Sequence, residues 1–379
     1  MQYIWLNNVA KISSDYTIIH FMDSFNQKIE SNTLPENLTS LTFGSKFNQK
    51  IESNTLPENL IFLIFGWDFN QKIEVNTLPK NITTLIFGWE FNQKINPDIL
   101  PENLTTLTFR YKYNQKIESN VLPENLTFLM FGSGFNQKIE PNTLSKNITT
   151  LIFGIGFNQG IDPNTLPKNL TSLAFGWSFN QKIEPNTLPE NLINLTFGNF
   201  FNQKIELDTL PEKLITLTFG WCFNQKIEPN ILPDNITTLT FGWKFNQIID
   251  ANILPKNLTT LTLGNEFNRK IDSDILPYNL KNINFNWINP DKNIPIKHYI
   301  DIVNNVPNYY HVKLLLKKNI FNINGLKWPI HVVDYKENEW SPDIYEIQDK
   351  YKHPMYGLIT ILINKETYEP YSFAKSALK

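Results

Sequence analysis

The stretch LIFLIFGWDFNQKI, residues 60–73, contains the pattern that decides the fold of this chain. Its Phe-Asn-Gln block begins at Phe69 and recurs every 22 residues, without insertion, from Phe25 to Phe267. Tyr113 replaces the Phe in one copy, and Arg269 replaces the Gln in the last. Numbering each repeat 1 to 22 from this aromatic residue gives twelve repeats over residues 25–288. A fixed period of this length is typical of solenoids, in which each coil stacks on the next.

Six positions are apolar in every repeat, namely positions 1, 5, 10, 14, 17 and 19. In the second repeat they are Phe47, Ile51, Leu56, Leu60, Leu63 and Phe65. Only positions 17 and 19 alternate as a strand requires, and no helical period fits all six. Pro stands at position 11 in every repeat except at Ser145, and Pro resists helix because it lacks a backbone donor. Each repeat is therefore predicted to be one coil with a short strand, a turn, an extended return and another turn.

Two further positions have structural interpretations. Asn stands at position 2 in all twelve repeats, from Asn26 to Asn268, which predicts either an internal Asn ladder or a simple turn residue. Gly at position 20 is replaced only by Arg110 and Asn286, which indicates a tight or crowded backbone at the strand end. A single coil buries too little apolar surface to fold alone, so the coils are expected to share a parallel sheet.

Composition narrows the class of protein. The chain has 379 residues, of which 41% are hydrophobic and 18% charged, so a packed core is expected rather than general disorder. A net charge of −2 does not favour broad nucleic-acid binding. The single cysteine, Cys222, excludes a disulfide within the chain and fits a reducing compartment. With no signal sequence at residues 1–11 and no long apolar run, we expect a cytoplasmic protein without membrane contact.

The motif Leu-x-x-Leu-x-Phe-Gly-x-x-Phe-Asn-Gln-x-Ile, seen at residues 60–73, resembles the FNIP repeat, a short relative of leucine-rich repeats. One departure is the residue after Gln, which is usually Lys here and not Pro. The resemblance implies a right-handed horseshoe or spiral with a parallel sheet on one face. The expected fold is mainly β: a leucine-rich-repeat-like solenoid of twelve 22-residue coils with a small α+β C-terminal segment.

The same resemblance implies an origin among social amoebae or the giant viruses that infect amoebae. In many such proteins an F-box, which is a ubiquitin-ligase adaptor, precedes the repeats. Only 24 residues precede Phe25, and we expect them to be too few for that module.

The ends of the array are expected to differ from its middle, because terminal repeats shield an open core. Residues 1–24 are interpreted as a degenerate N-terminal cap repeat, with Ile19 and Phe21 at positions 17 and 19. Residues 289–379 are interpreted as a degenerate repeat followed by a small α+β cap. The expected elements there are one more degenerate coil formed by Val306–Pro307 followed by His311–Leu316, strands at Trp328–Tyr335 and Gly357–Ile363, a helix start at Ser341–Asp343 and a helix at Tyr371–Leu378.

The candidate binding residues lie on the strand and at its end. Positions 16 and 18 should face outward and are mostly Thr or Ser, with apolar exceptions at Phe62, Ile64, Phe128 and Met130. Position 21 is Trp in six repeats: Trp67, Trp89, Trp177, Trp221, Trp243 and Trp287. Such a Trp rim could anchor a partner, or the indoles could simply stack on each other. We therefore take these six Trp residues with Phe62, Phe128 and Met130 as the candidate partner-binding set.

Other recurrent features favour plain structural interpretations. Lys at position 4 and an acidic residue at position 6 form columns of opposite sign, which predict a solvated face. The Asn-x-Thr sequons recur because the repeat places Asn at position 13 and Thr at position 15. Position 22 varies most. This variation could determine which partner is bound, or it could reflect relaxed constraint at an exposed position. His331, Asp334 and Glu337 could form a metal or acid-base site, but ordinary strand and turn residues are the favoured interpretation.

These observations predict a monomeric, non-enzymatic scaffold without cofactor or metal, which binds a partner protein through the sheet face and the Trp rim. The partner is unidentified, and for a viral chain it is expected to be a host protein in the host cytoplasm. A ubiquitin-ligase substrate receptor and a structural component of a virion remain the alternatives.

Overall fold

A computed structural model of the chain describes residues 3–9, residues 12–288 apart from 268, 270 and 272–274, and the segments 311–316, 344–346 and 358–364. The chain divides into two compact units, residues 1–192 and residues 193–379. In both units the 22-residue repeats contribute one strand each to a parallel sheet. The boundary between the units lies inside the predicted repeat array.

The first unit contains nine parallel strands, each hydrogen-bonded to the next along the chain. They are β1 (Tyr3–Leu6), β2 (Ile18–Phe21), β3 (Ser40–Thr42), β4 (Phe62–Ile64), β5 (Thr84–Ile86), β6 (Thr106–Thr108), β7 (Phe128–Met130), β8 (Thr150–Ile152) and β9 (Ser172–Ala174). Successive repeats pair in a register of 22 residues, so that Leu41 lies opposite Leu63. Ile19 continues this register from the N-terminal segment, opposite Leu41. The sequence analysis did not predict β1, which pairs with β2.

The second unit continues the same pattern with strands β10 (Asn194–Thr196), β11 (Thr216–Thr218), β12 (Thr238–Thr240), β13 (Thr260–Leu263), β14 (Asn282–Ile288), β15 (His311–Leu316), β16 (Ile344–Glu346) and β17 (Leu358–Asn364). Strands β10 to β15 pair in parallel in chain order, and β15 also pairs in parallel with β17. Strand β16 runs antiparallel to β17. The leucine-rich-repeat-like solenoid predicted from the sequence is confirmed.

The C-terminal segment differs in part from expectation. The segment His311–Leu316 forms a strand paired with β14, as an added coil would. Ser341–Asp343 was expected to start a helix, but residues 344–346 directly after it form strand β16, so that prediction is wrong. Strand β17 occupies the place of the strand expected at residues 357–363. The strand expected at residues 328–335 and the helix expected at residues 371–378 lie outside the described residues.

Three reverse turns close each coil, at positions 6–9, 11–14 and 20 to 1 of the next repeat. Their hydrogen bonds for the third repeat join Thr77 N to Glu74 O at 3.2 Å, Ile82 N to Pro79 O at 3.2 Å and Phe91 N to Gly88 O at 3.3 Å. In the first of these turns, position 8 has φ between 59° and 65° in every repeat from Asn32 to Asn252. Asn and Asp are the non-glycine residues that best tolerate this conformation, and position 8 is always one of the two.

The core confirms the six apolar positions, because their side chains are buried in every repeat where they are described. Position 9 is a seventh buried position that the sequence analysis missed. It is buried in nine repeats, at Thr55, Thr77, Ile99, Val121, Thr143, Thr165, Thr187, Thr209 and Ile253. Position 9 is Thr in some repeats and Ile or Val in others, so it did not meet the criterion of being apolar in every repeat. Several of these Thr hydroxyls, including that of Thr77, are buried without a hydrogen-bond partner.

The aromatic side chains at positions 19 and 1 form two continuous stacks within each unit. Phe131 lies 3.9 Å from Phe135 between ring centroids and 5.9 and 5.8 Å from its counterparts in the adjacent coils, Phe109 and Phe153. All of these rings are buried. Each ring therefore has aromatic neighbours above, below and beside it, and the stack joins consecutive coils through the core.

Gly at position 20 stands where two coils approach closely. A Cβ atom built on Gly176 would overlap the carbonyl oxygen of Gly154, and Gly242 stands in the same relation to Gly220. By contrast, a Cβ on Gly160, at the exposed position 4, would meet nothing within 4 Å. The crowded backbone predicted at the strand end is therefore observed.

Tyr113 carries the one hydroxyl in the position 1 stack, and Tyr113→Phe is expected to stabilise the protein. The hydroxyl is buried without a hydrogen-bond partner, and its removal should gain about 1 kcal/mol. Burial also raises the pKa of Tyr113 well above its usual range. An unfolded tyrosine ionises at about pH 10. The wild type should therefore lose stability as the pH rises beyond that value, whereas the variant should not.

Urea denaturation at pH 7 and at pH values above 10 measures this difference. Tyr111→Phe is the matched control, because Tyr111 lies two residues before Tyr113 and its side chain is 51% exposed. A Tyr113→Phe variant with the same stability as wild type, and the same pH profile, would contradict the prediction.

Candidate interaction surface

The outward face of the sheet consists of the side chains at positions 16 and 18, which alternate with the buried Leu at position 17. The alternation is visible in strands β3 to β12, as in β5, where Thr84 and Ile86 are half-buried and Leu85 is buried. Parallel pairing at a 22-residue register places equal positions of successive coils side by side. The sheet face therefore carries two columns of side chains, at positions 16 and 18, along the repeats of each unit.

The candidate residues on this face lie in the first unit. Phe62 is 46% exposed, and Phe128 and Met130 are half-buried. Phe62 lies opposite Ser40 and Thr84 in the position 16 column. Met130 lies opposite Thr108 and Ile152 in the position 18 column. The sequence placed these three side chains correctly on the outward face.

The Trp rim is both stacked and exposed. Trp67 and Trp89 stack with ring centroids 4.3 Å apart and planes within 3°, and Tyr111 extends this stack. In the second unit Trp221 and Trp243 stack at 4.6 Å and 1°. Trp67 nevertheless remains 47% exposed, and Trp221 46%. The two interpretations of the Trp column are therefore not exclusive, because stacking fixes the indoles and leaves their outer edges accessible.

Two members of the Trp column differ from the stacked pairs. Trp177 is 57% exposed, and position 21 of the preceding coil is the half-exposed Ile155. Trp287 lies inside strand β14, whereas the sequence placed position 21 just beyond the strand end.

Position 22, the most variable in sequence, forms ion pairs between coils in the first unit. Lys46 lies 3.1 Å from Asp68 between Nζ and Oδ2, and Lys112 pairs with Glu90. These four side chains neutralise each other beside Trp67 and Trp89. The charge on the Trp side of the sheet face is therefore largely balanced in these coils.

A shallow groove of about 570 Å³ borders the other side of the sheet face in the first unit. It is lined by the position 13 Asn and position 15 side chains of four coils: Asn59, Ile61, Asn81, Thr83, Asn103, Thr105 and Asn125. Most of these Asn side chains are held by the preceding coil, since Asn81 Nδ2 donates to Glu58 O at 2.8 Å and Asn125 Nδ2 to Glu102 O at 3.0 Å. We call this feature the Asn groove. The sequence pattern did not indicate this groove, because the Asn residues at position 13 resemble simple Asn-x-Thr sequons.

The Asn at position 2 forms the predicted ladder within each unit. Asn70 Oδ1 accepts from Asn92 N at 2.9 Å and from Gln93 Nε2 at 3.1 Å. Asn70 N in turn donates to Asn48 Oδ1. Each Asn thus bonds the backbone of the next coil, and Gln at position 3 adds a second bond. This ladder therefore joins consecutive coils by hydrogen bonds.

The columns at positions 4 and 6 form exposed ion pairs within coils. Lys50 Nζ lies 2.9 Å from Glu52 Oε2, and this carboxylate raises the pKa of Lys50. Lys138 pairs instead with Asp162 of the following coil at 2.7 Å, which raises the pKa of Lys138. Exposed pairs of this kind contribute little to stability, and they cancel each other's field. The solvated face predicted for these columns is what the structure shows.

The part of the chain that the structure describes was searched for metal-binding and reactive side chains. No group of three or more His, Cys, Asp or Glu side chains there could hold a metal ion. His331, Asp334 and Glu337 lie outside the described residues. Cys222 is a half-buried free thiol at position 22. Among the described residues no helix is long and apolar enough to cross a membrane.

Comparison with known proteins adds a family and a fold. The FNIP repeat matches in ten overlapping or adjoining segments that together run from residue 17 to residue 287. A crystal structure of CroV588, a circular leucine-rich-repeat protein from a giant virus, is 41% identical with a TM-score of 0.76. The match covers 90% of this chain and 52% of that one, so the chain spans about half the length of CroV588.

A second solved structure, the complex of TLR13 with ssRNA13, is 14% identical with a TM-score of 0.52 over 85% of this chain and 55% of that chain. At this identity the similarity concerns the fold alone. A search of the curated proteins finds no match.

Proposed function

The chain belongs to the FNIP repeat family, and from that premise we propose that it is a scaffold that binds another protein through its sheet face and Trp rim. Leucine-rich-repeat-like solenoids generally present an extended surface built from equal coils. The binding residues would be Trp67, Trp89, Trp177, Trp221, Trp243 and Trp287 with Phe62, Phe128 and Met130.

The exposure of the stacked indoles is the observation that carries this proposal. Trp is enriched among residues that dominate binding energy, because a large flat side chain buries much area with few rotatable bonds. Trp67 and Trp221 each keep nearly half of their surface exposed although each already stacks on a neighbouring indole. Such pre-ordered side chains would lose little conformational entropy on binding, so more of the contact energy would appear as affinity.

The similarity to a giant-virus protein supports a viral setting for this scaffold. In that setting the partner would be a protein of the infected host cell, met in its cytoplasm. The search for the partner is therefore best made in host-cell extract.

Affinity capture tests the Trp rim directly. The full chain is compared with a variant that combines Trp67→Ala, Trp89→Ala, Trp221→Ala and Trp243→Ala. The partner's affinity for the variant is expected to fall at least tenfold, since each central Trp contributes on the order of 2 kcal/mol. Quantitative mass spectrometry of the captured proteins, followed by a titration with the identified partner, measures the change.

A matched control replaces equally exposed apolar residues elsewhere in the repeat, with Val75→Ala, Leu207→Ala and Ile248→Ala combined. This control should bind as the wild type does. Thermal melting must show that both variants remain folded. Undiminished binding by the Trp variant would remove the Trp rim from the proposed interface.

A further inference from the structure

The fourth repeat departs from the others where its strand ends. Its positions 20 to 22 are Arg110, Tyr111 and Lys112, and the following residue is Tyr113, where the other repeats begin with Phe. Arg110 and Asn286 are the two replacements for Gly at position 20, and Tyr111 is the single Tyr at position 21. Places where a sequence breaks its own local rule are often functional, because the break lowers stability without a structural gain.

Arg110 stands where the adjoining coils carry no side chain. Position 20 is Gly88 in the coil before and Gly132 in the coil after, and a Cβ built on Gly132 would overlap the carbonyl oxygen of Arg110. Arg110 is exposed and forms no ion pair with any residue that the structure describes. Lys112, by contrast, is paired with Glu90. Arg110 therefore leaves an uncompensated positive charge beside the Trp rim.

The stack that Trp67 and Trp89 begin in the position 21 column ends at Tyr111. Tyr111 stacks on Trp89 with ring centroids 5.9 Å apart and is still 51% exposed. The next coil lies directly against Tyr111, because Gly134 N donates to Tyr111 O at 2.6 Å. That coil has Ser133 and Gly134 at positions 21 and 22, and neither carries a ring or a long chain that could cover Tyr111. We call this gap beside Tyr111 the rim notch.

We propose that Arg110 and the rim notch form the contact that selects the partner protein. The Arg110 guanidinium binds an Asp or Glu carboxylate of a partner segment, and an apolar side chain next to that carboxylate packs on the Tyr111 ring above Gly134. This inference rests on the proposed function, and it specifies one place on the rim and the chemistry of the segment that it binds.

The charge available at this place favours a carboxylate over a phosphate. An Arg guanidinium presents parallel N–H donors that match the two oxygens of a carboxylate. A phosphorylated side chain carries nearly two negative charges, and clusters of basic residues usually bind it. Lys112 lies at the same strand end, but Glu90 already neutralises it. The free guanidinium of Arg110 therefore balances a single carboxylate.

The same arrangement discriminates against other partners. A neutral or basic segment that covered Arg110 would bury a charge without a counter-charge, which is unfavourable. Tyr and Arg are both enriched among the residues that dominate binding energy. The stack on Trp89 holds the Tyr111 ring in place, so the ring would lose little conformational entropy on binding. Charge thus supplies the selectivity of this contact, and the ring supplies its buried area.

A displayed library of random peptides, selected on the full chain, tests this inference. The enriched peptides are expected to share an Asp or Glu next to an apolar residue. Their Kd, measured by fluorescence anisotropy, should rise at least tenfold for Arg110→Gly. Replacing the acidic residue of a peptide by its amide should weaken binding to the wild type but not to Arg110→Gly, which gives a double-mutant cycle. Ser133→Trp fills the notch with the commonest residue of position 21 and should also weaken binding.

Arg110→Gly suits the fold, because Gly occupies this position in the coils on both sides. Its melting temperature should therefore equal or exceed that of the wild type. The matched control is Lys80→Gly, which removes an exposed positive charge from another part of the same unit and should bind the peptides as the wild type does.

Several outcomes would overturn the inference. They are enriched peptides without an acidic residue, equal binding by Arg110→Gly, or a lower melting temperature for that variant, which would make Arg110 a structural residue. A peptide with phosphoserine in place of its acidic residue that binds more than tenfold tighter would also overturn the choice of a carboxylate. If one of these results is found while the four-Trp variant still loses its captured partner, the proposed function stands and only this inference falls.

Discussion

The Gly176→Ala variant is expected to lose more than about 3 kcal/mol of stability, one of the largest effects that a single methyl group can have in this protein. The added Cβ would overlap the carbonyl oxygen of Gly154 and lie 3.0 Å from the backbone N of Ile155. Both obstacles are backbone atoms, so neither can move aside by changing a rotamer. The coils around residue 176 would have to separate, and the interior of a packed stack resists such a shift.

Gly160→Ala is the matched control for this prediction, since Gly160 lies in the same repeat, at position 4, and its Cβ would have open space. That variant should remain within about 0.5 kcal/mol of wild type, or gain slightly because the unfolded chain becomes less free. Urea denaturation followed by circular dichroism gives both values, and hydrogen exchange shows which coils open. Equal stability of the two variants would mean that the coils do not approach as closely as described.

The Phe131→Ala variant is expected to cost about 3–5 kcal/mol, because it leaves a cavity in the centre of the aromatic stack. Phe131 is fully buried and touches the rings of Phe135, Phe109 and Phe153. Its loss removes contacts within its own coil and with the coils on either side. The same denaturation experiment measures the loss, and exchange should accelerate first in the coils that hold these four rings.

Two comparisons separate cavity formation from a general effect of losing an aromatic ring. Phe62→Ala removes the same side chain from the sheet face, where it is 46% exposed, and should cost about 1 kcal/mol or less. Phe131→Leu should cost about 1.5 kcal/mol or less, as Leu263 occupies the same position naturally. A small loss for Phe131→Ala, similar to that for Phe62→Ala, would contradict a tightly packed stack.

Much of the interaction surface followed from the repeat itself. Because parallel coils place equal positions side by side, the assignment of Leu63 to the core put Phe62 on the outward face of the sheet. The same logic placed Trp67 beyond the strand end. Periodicity could not show that Trp67 and Trp89 stack within 4.3 Å and remain exposed, since this depends on rotamers and on the distance between coils.

Two features of the sites were visible in the sequence but not interpreted. Position 8 is always Asn or Asp because its backbone is left-handed. The Pro that often precedes it at position 7 is typical of a turn whose next residue has a positive φ, so the sequence could have indicated this conformation. Position 9 is buried although it is often Thr, and only comparison with Ile99, Val121 and Ile253 in other repeats shows that it belongs to the core. The Asn groove needed coordinates, because its lining comes from four separate coils.

The sequence by itself determined the coil, its register and six of the seven core positions, because twelve in-phase copies keep these six positions apolar. It also determined which residues face outward. Only the tertiary structure decided what those residues form jointly, namely a stacked Trp rim and the Asn groove. These depend on distances between side chains that are 22 residues apart in the chain, and only the stacking of coils fixes such distances.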